Sequence, residues 1–339
     1  MGFGLITLSV IIASVTLATP GDSTSERSSV ASSRLPDVQP GFSVAPSTEN
    51  QCWVFTHMNK AGGTSVKKMI SSFGEENNLP VEVYHEGEYN LGEKEATQFL
   101  NRNSSLMVGG YTEGLRHHPK VQDCKWFTMI RHPIPRLVSA FFYCRNGCQD
   151  QLCASKILNA DDSDLYAFAE HWGNFGLMQF ALAFVDQDQL LGAEAPSGPC
   201  ATRCPSWYKA KLYFEGLLEP DEIKDPGTNQ TEESRMARLF DILEPIEGLL
   251  RTKYAAVGVL EDWERSMALF DRALLIPDFS WADASIKAKQ RKKNDKQEKK
   301  DVLAAAWTDQ ALTKYIAFDL LVYEFAFGVH RKQLAEYGI

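Results

Sequence analysis

The chain has 339 residues, 44% of them apolar, and a formal net charge of −9. That apolar content suffices for a large core, and the acidic balance argues against general nucleic-acid binding. A repeated strand-then-helix rhythm predicts an α/β protein with one globular domain carrying insertions, without internal repeats.

Residues 3–18 are almost wholly apolar or small and carry no charged side chain. The stretch falls short of the ~20 residues that span a bilayer comfortably, and Thr16-Leu17-Ala18 offers small residues at a cleavage position. Residues 1–18 therefore read as a cleaved signal peptide or an uncleaved signal anchor. Residues 19–50 are rich in Ser, Pro and Gly and read as a flexible stem, so the globular domain is expected over 51–339.

The first predicted strand, 52–57, empties into His57-Met58-Asn59-Lys60-Ala61-Gly62-Gly63-Thr64-Ser65 and a helix over 64–73. Two adjacent glycines let the backbone turn sharply, so that amide N–H groups at a helix N-terminus face an anion, and Lys60 supplies full charge. Lys60 precedes the glycine pair, which is not the Walker A order. Short strands are predicted at 81–84 and 106–108, then a strand at 126–130 that ends in Arg131-His132-Pro133-Ile134-Pro135-Arg136-Leu137-Val138-Ser139. A helix over 134–142 would bring Ser139 two turns past Arg131, so a guanidinium and a hydroxyl converge on a second phosphate. Arg136 fits either packing or ligand binding.

Seven cysteines, with clusters at Cys144, Cys148, Cys153 and at Cys200, Cys204, lack the companions of a zinc site and point to disulfides. Asn103-Ser104-Ser105 and Asn229-Gln230-Thr231 are glycosylation sequons for a luminal chain. Two helical pieces are expected within 165–184, broken at Gly173 and Gly176, and a loop over 187–208. A helix over 233–250, a strand over 255–260 and a helix over 263–274 follow. Residues 287–300 hold eight basic side chains against Asp295 and Glu298, a mobile basic loop beside a nucleotide or anionic glycan. One long helix is expected over 301–327. The alternation implies a parallel sheet with ligands beyond its carboxyl ends, where Lys60 and Arg131 both fall.

The two motifs resemble the 5′-phosphosulfate loop (His-Ile-Pro-Lys-Thr-Gly-Gly-Thr-Ser) and 3′-phosphate motif (Arg-Asp-Pro-x-x-Arg-x-x-Ser) of the Golgi carbohydrate sulfotransferases, and are similar to those of heparan sulfate and uronyl O-sulfotransferases. Val257-Gly258-Val259-Leu260-Glu261 and Asp319-Leu320-Leu321-Val322-Tyr323-Glu324-Phe325-Ala326 extend the likeness. The chain departs at Met58-Asn59, at Ala61 where Thr is usual, and at His132 where Asp is usual.

The resemblance implies a P-loop-like three-layer fold with a central parallel sheet flanked by helices. It also implies a Golgi-luminal enzyme that moves sulfate from 3′-phosphoadenosine-5′-phosphosulfate to a glycan hydroxyl, without a metal. Lys60, Ala61, Gly62, Gly63, Thr64 and Ser65 would hold the 5′-phosphosulfate, with Lys60 neutralising charge on the bridging oxygen, and Arg131 and Ser139 would hold the 3′-phosphate. Many relatives carry Gly-His after the third strand, but Gly110 stands at that His position. His117 or Glu113 is then the expected base, with His118 and His85 behind them, while His57 shapes the loop. The alternatives are a catalytically inactive nucleotide- or glycan-binding relative and a P-loop kinase. The kinase would need a Mg²⁺ ligand set and an ordinary Walker A.

Overall fold

A computed structural model describes residues 52–77, 81–83, 106–109, 112–116, 121, 123–145, 165–181, 184, 232–289 and 297–339. Its centre is a sheet of β1 (Trp53–Thr56), β2 (Val81–Val83), β3 (Leu106–Gly109), β4 (Lys125–Ile130) and β5 (Tyr254–Val259). Their spatial order is β2-β3-β1-β4-β5, and every pairing is parallel. Such strands are buried on both faces, which is why β1, β3 and β4 read as near-continuous apolar runs and not as alternations.

One face carries α1 (Gly63–Asn77), whose Val66, Met69, Ile70 and Phe73 recur at helical spacing and are buried. Beside it, α6 (Trp263–Leu274) and α7 (Trp281–Lys289) close a cluster in which Phe127 meets Phe270 and Trp281 edge-on, with centroids 5.3 and 5.4 Å away. Trp53 crosses this layer to donate from Nε1 to the Leu274 carbonyl, at 2.9 Å.

The remaining described helices are α2 (Pro133–Cys144), α3 (Leu165–Trp172), α4 (Phe175–Ala181), α5 (Glu232–Thr252), α8 (Gln297–Thr308), α9 (Gln310–Thr313) and α10 (Ala317–Glu336). β5 packs against α5 and α10 as well as α6, so helices flank the sheet. Gln333 of α10 ties the layers together, accepting from the Val257 amide at 2.9 Å and donating to the Tyr254 carbonyl at 3.1 Å.

Four points differ from expectation. The long helix expected over 301–327 is three helices, because Asp309 accepts from the Ala311 and Leu312 amides and caps α9 as a new start. Gly176 lies inside α4 instead of breaking it, and α7 had no expected counterpart. Cys52 and Cys124 form a disulfide across the amino ends of β1 and β4, a pair outside both sequence clusters. Cys144 is disulfide-bonded too, its partner lying outside the described residues. Residues 1–50, both sequons, the 187–208 loop and residues 290–296 of the basic run also lie outside them. Among the described residues, no helix is long and apolar enough to cross a membrane.

Candidate functional site

The loop between β1 and α1 is built on two left-handed residues, Lys60 (φ 62°) and Gly62 (φ 80°). The His57 amide still pairs with the Gly109 carbonyl at 2.7 Å, after which Ala61 N–H turns back to Met58 O at 3.2 Å. Gly62 O accepts from the Ser65 and Val66 amides, which starts α1 and leaves the Gly63 and Thr64 amides without intrahelical acceptors. Donors at a helix N-terminus attract an anion.

The glycines are required sterically. A Cβ on Gly62 would stand 2.7 Å from Leu260 Cδ1, and one on Gly63 would stand 1.8 Å from His57 Cδ2. His57 thus lies over the glycine as the loop-shaping residue expected. Gln179, buried in α4, clamps the same loop: its side chain donates to the His57 carbonyl at 3.2 Å and accepts from the Asn59 amide at 3.3 Å.

Arg131 follows β4 and reaches across to the loop, donating from Nη1 to the Lys60 carbonyl at 3.1 Å. The two sequence motifs are therefore in contact. Glu261, just after β5, faces the second motif. Its Oε1 lies 3.9 Å from Arg131 Nε and accepts from the His132 amide at 3.2 Å, while burial pushes its carboxyl pKa up. Pro133 starts α2, and His132 caps it, Nδ1 accepting from the Ile134 amide at 3.3 Å. The His132 ring sits between Trp307 and Tyr323, 4.5 and 5.0 Å from their centroids. Burial, reinforced by the Arg131 charge, lowers its pKa to about 4.

Arg136 belongs to packing: its guanidinium is buried and Nη2 bonds to the Asp319 carboxylate. Nη1 is buried without a hydrogen-bond partner. A small cavity beside the loop is lined by Met58, Arg131, Arg136, Asp319 and Tyr323. Burial and the nearby Arg131 charge lower the Arg136 pKa to about 9, while the Asp319 carboxylate that pairs with it lines the same cavity. Ser139 is half-buried two turns along α2. One turn further, Tyr143 lies under Lys60, whose Nζ is 3.2 Å from the ring centroid.

Glu113 is in a short 3-10 turn after β3 and is fully buried. Arg116 grips both carboxylate oxygens, at 2.7 and 2.9 Å, Thr56 Oγ1 donates at 3.0 Å, and the Tyr254 hydroxyl donates as well. Arg116 in turn stacks on Trp126, 3.9 Å from its centroid. Burial, then the Glu113 charge, raises the Tyr254 pKa well above its ordinary value and keeps the phenol a donor. The geometry gives Glu113 charge pairing and no contact with solvent. His117, His118 and His85 lie outside the described residues.

The structure brings together Lys60, the glycine loop and Arg131. Sequence reasoning missed Tyr143, Gln179 and the cap role of His132. For Tyr143 a signal existed, since it falls four residues after Ser139 on one helix face; for Gln179, an uncharged residue in an apolar helix, none did. No protein-family model matches the chain, and no curated protein matches it.

Proposed function

We propose that the chain is a sulfotransferase moving the sulfuryl group from 3′-phosphoadenosine-5′-phosphosulfate to a glycan hydroxyl, and that its fold is P-loop-like in the finer sense. The observation that carries the reading is the bond from Arg131 to the Lys60 carbonyl, which joins two anion-binding motifs at the carboxyl ends of adjacent strands. In this reading Lys60, Ala61, Gly62, Gly63, Thr64 and Ser65 hold the 5′-phosphosulfate, and Arg131 and Ser139 hold the 3′-phosphate.

The bond from sulfur to the phosphate oxygen breaks as the acceptor oxygen bonds to sulfur, and the acceptor proton passes to a base. Positioning and charge stabilisation supply most of the acceleration for such transfers. Lys60 neutralises the departing oxygen. Full enclosure by three donors makes Glu113 a support for the segment that follows, so His117 is the base this reading prefers. Adenosine 3′,5′-bisphosphate is the product, no metal takes part, and the Cys52–Cys124 bond suits the oxidising secretory lumen, with the Golgi as site of action and the leader as signal peptide or membrane anchor.

The enclosure of Glu113 also favours a second reading, a chain that binds the nucleotide and a glycan without turnover. Both readings require adenosine 3′,5′-bisphosphate to raise the melting temperature by mass action, and ATP with Mg²⁺ to do much less. Equal stabilisation by ATP with Mg²⁺ would move the assignment to a kinase. Labelled sulfate transferred from the donor to any of a panel of desulfated polysaccharides separates the enzyme from the binding protein.

A further inference from the structure

Lys60 is placed by an aromatic ring as well as by its loop. Its ammonium stands 3.2 Å from the Tyr143 centroid, well inside the ~6 Å within which the face of a ring attracts a cation. Tyr143 occupies the last turn of α2, four residues after Ser139, so the two side chains share one helix stripe. That turn is fixed from below. The neighbouring Cys144 is fully buried and disulfide-bonded, and Arg145, the helix cap, pairs with Glu298 of α8. Tyr143 itself is 41% exposed, so its ring is a platform at the surface and not a core residue.

We infer that Tyr143 is a positioning residue that holds the Lys60 ammonium in place for an incoming phosphate or sulfuryl oxygen. The inference rests on the anion-binding reading of the loop given above. An ammonium carries three N–H donors, and a ring face, which attracts the charge as a whole, does not remove its capacity to donate to an anion. A free lysine loses rotamer freedom when an anion fixes it, and a lysine already seated on a ring has lost part of that freedom beforehand. The hydroxyl is not needed for this, so the role belongs to the ring.

The test uses the full chain with its lysine amines carrying ¹³C-dimethyl groups, which keep the charge. The Lys60 methyl resonance, identified by its loss in Lys60→Arg, should be displaced upfield by the ring, return to the ordinary lysine position in Tyr143→Leu, and stay displaced in Tyr143→Phe. Affinity of the unmethylated chain for adenosine 3′,5′-bisphosphate should fall roughly two- to fivefold in Tyr143→Leu and recover in Tyr143→Phe, matching the strength of an exposed cation–π contact. In a Lys60→Ala background, Tyr143→Leu should have no further effect. An undisplaced Lys60 resonance in the wild type overturns the inference, as does equal affinity of Tyr143→Leu and wild type. A wild-type chain that shows the displaced resonance when methylated but fails to bind the bisphosphate when unmethylated instead overturns the loop's anion-binding reading, and the role of Tyr143 with it.

Discussion

His132 caps a helix through a group that titrates. The usual residue at this place in the motif it resembles is Asp, a good helix cap because its carboxylate accepts from the first amides. The imidazole does the same through Nδ1, but only while that nitrogen is unprotonated. Burial and the Arg131 charge keep it so, with a pKa of about 4 in the folded chain against about 6.5 when unfolded. Above pH 6.5 neither state binds the proton, so the group contributes no pH dependence. As pH falls from 6.5 towards 4 the unfolded state takes up the proton first, and stability declines across that window. Protonation would also add positive charge at a helix N-terminus, where it is unfavourable. His132→Asn retains an acceptor and does not titrate. Urea unfolding at a series of pH values should show its stability declining less steeply between pH 6.5 and 4, by up to one proton's worth of slope. Parallel slopes for the two proteins would mean that His132 protonates freely in the folded chain.

At the scale of elements, α4 and α10 hold each other by their amino ends. Asp319, in the first turn of α10, accepts from the Gly176 and Leu177 amides of α4 at 3.2 and 2.7 Å. Asn174, just before α4, accepts from the Phe318 and Asp319 amides of α10, both at 3.2 Å. Each helix supplies the other's cap, and Arg136 of α2 joins through Asp319. Asp319→Asn leaves the Arg136 cation buried without its counter-charge, which costs about 3–5 kcal/mol in comparable buried pairs. Equilibrium denaturation measures this directly, and a loss below about 1 kcal/mol would show that the pair is not fully desolvated. None of this arrangement was legible beforehand, because a single helix over 301–327 puts Asp319 in a helix interior, where a carboxylate has no amide to cap. The cue was present in Asp309, a good N-cap residue, but no Gly or Pro accompanies the break between 308 and 317. By contrast α6, with its apolar stripe, was legible to the residue, and β1, β3, β4 and β5 within two, because buried parallel strands leave short continuous apolar runs.

For the whole molecule, the sequence reveals that Lys60 and Arg131 end strands, but not that those strands are neighbours. Strand order is a long-range property, and β1 pairs with β4 across the whole of β2 and β3 in the chain. The same separation hid the Cys52–Cys124 bond, since cysteines were grouped by local spacing while the bridge closes 72 residues. That bridge sits at the amino ends of β1 and β4, beside the Lys125 amide bond to the Cys52 carbonyl at 2.9 Å. The Lys60 loop and Arg131 leave from the opposite ends of the same two strands. Stability and anion binding should therefore separate. A loop of this length implies a contribution of about 4 kcal/mol from restricting the unfolded chain. Cys52→Ser with Cys124→Ser should lose most of that in denaturant titration, while the affinity of the refolded protein for adenosine 3′,5′-bisphosphate changes less than about threefold. A double variant as stable as the wild type would mean that the bridge adds nothing the sheet does not already fix. A stable variant that has lost the ligand would mean that strain at one end of β1 and β4 is transmitted to the other.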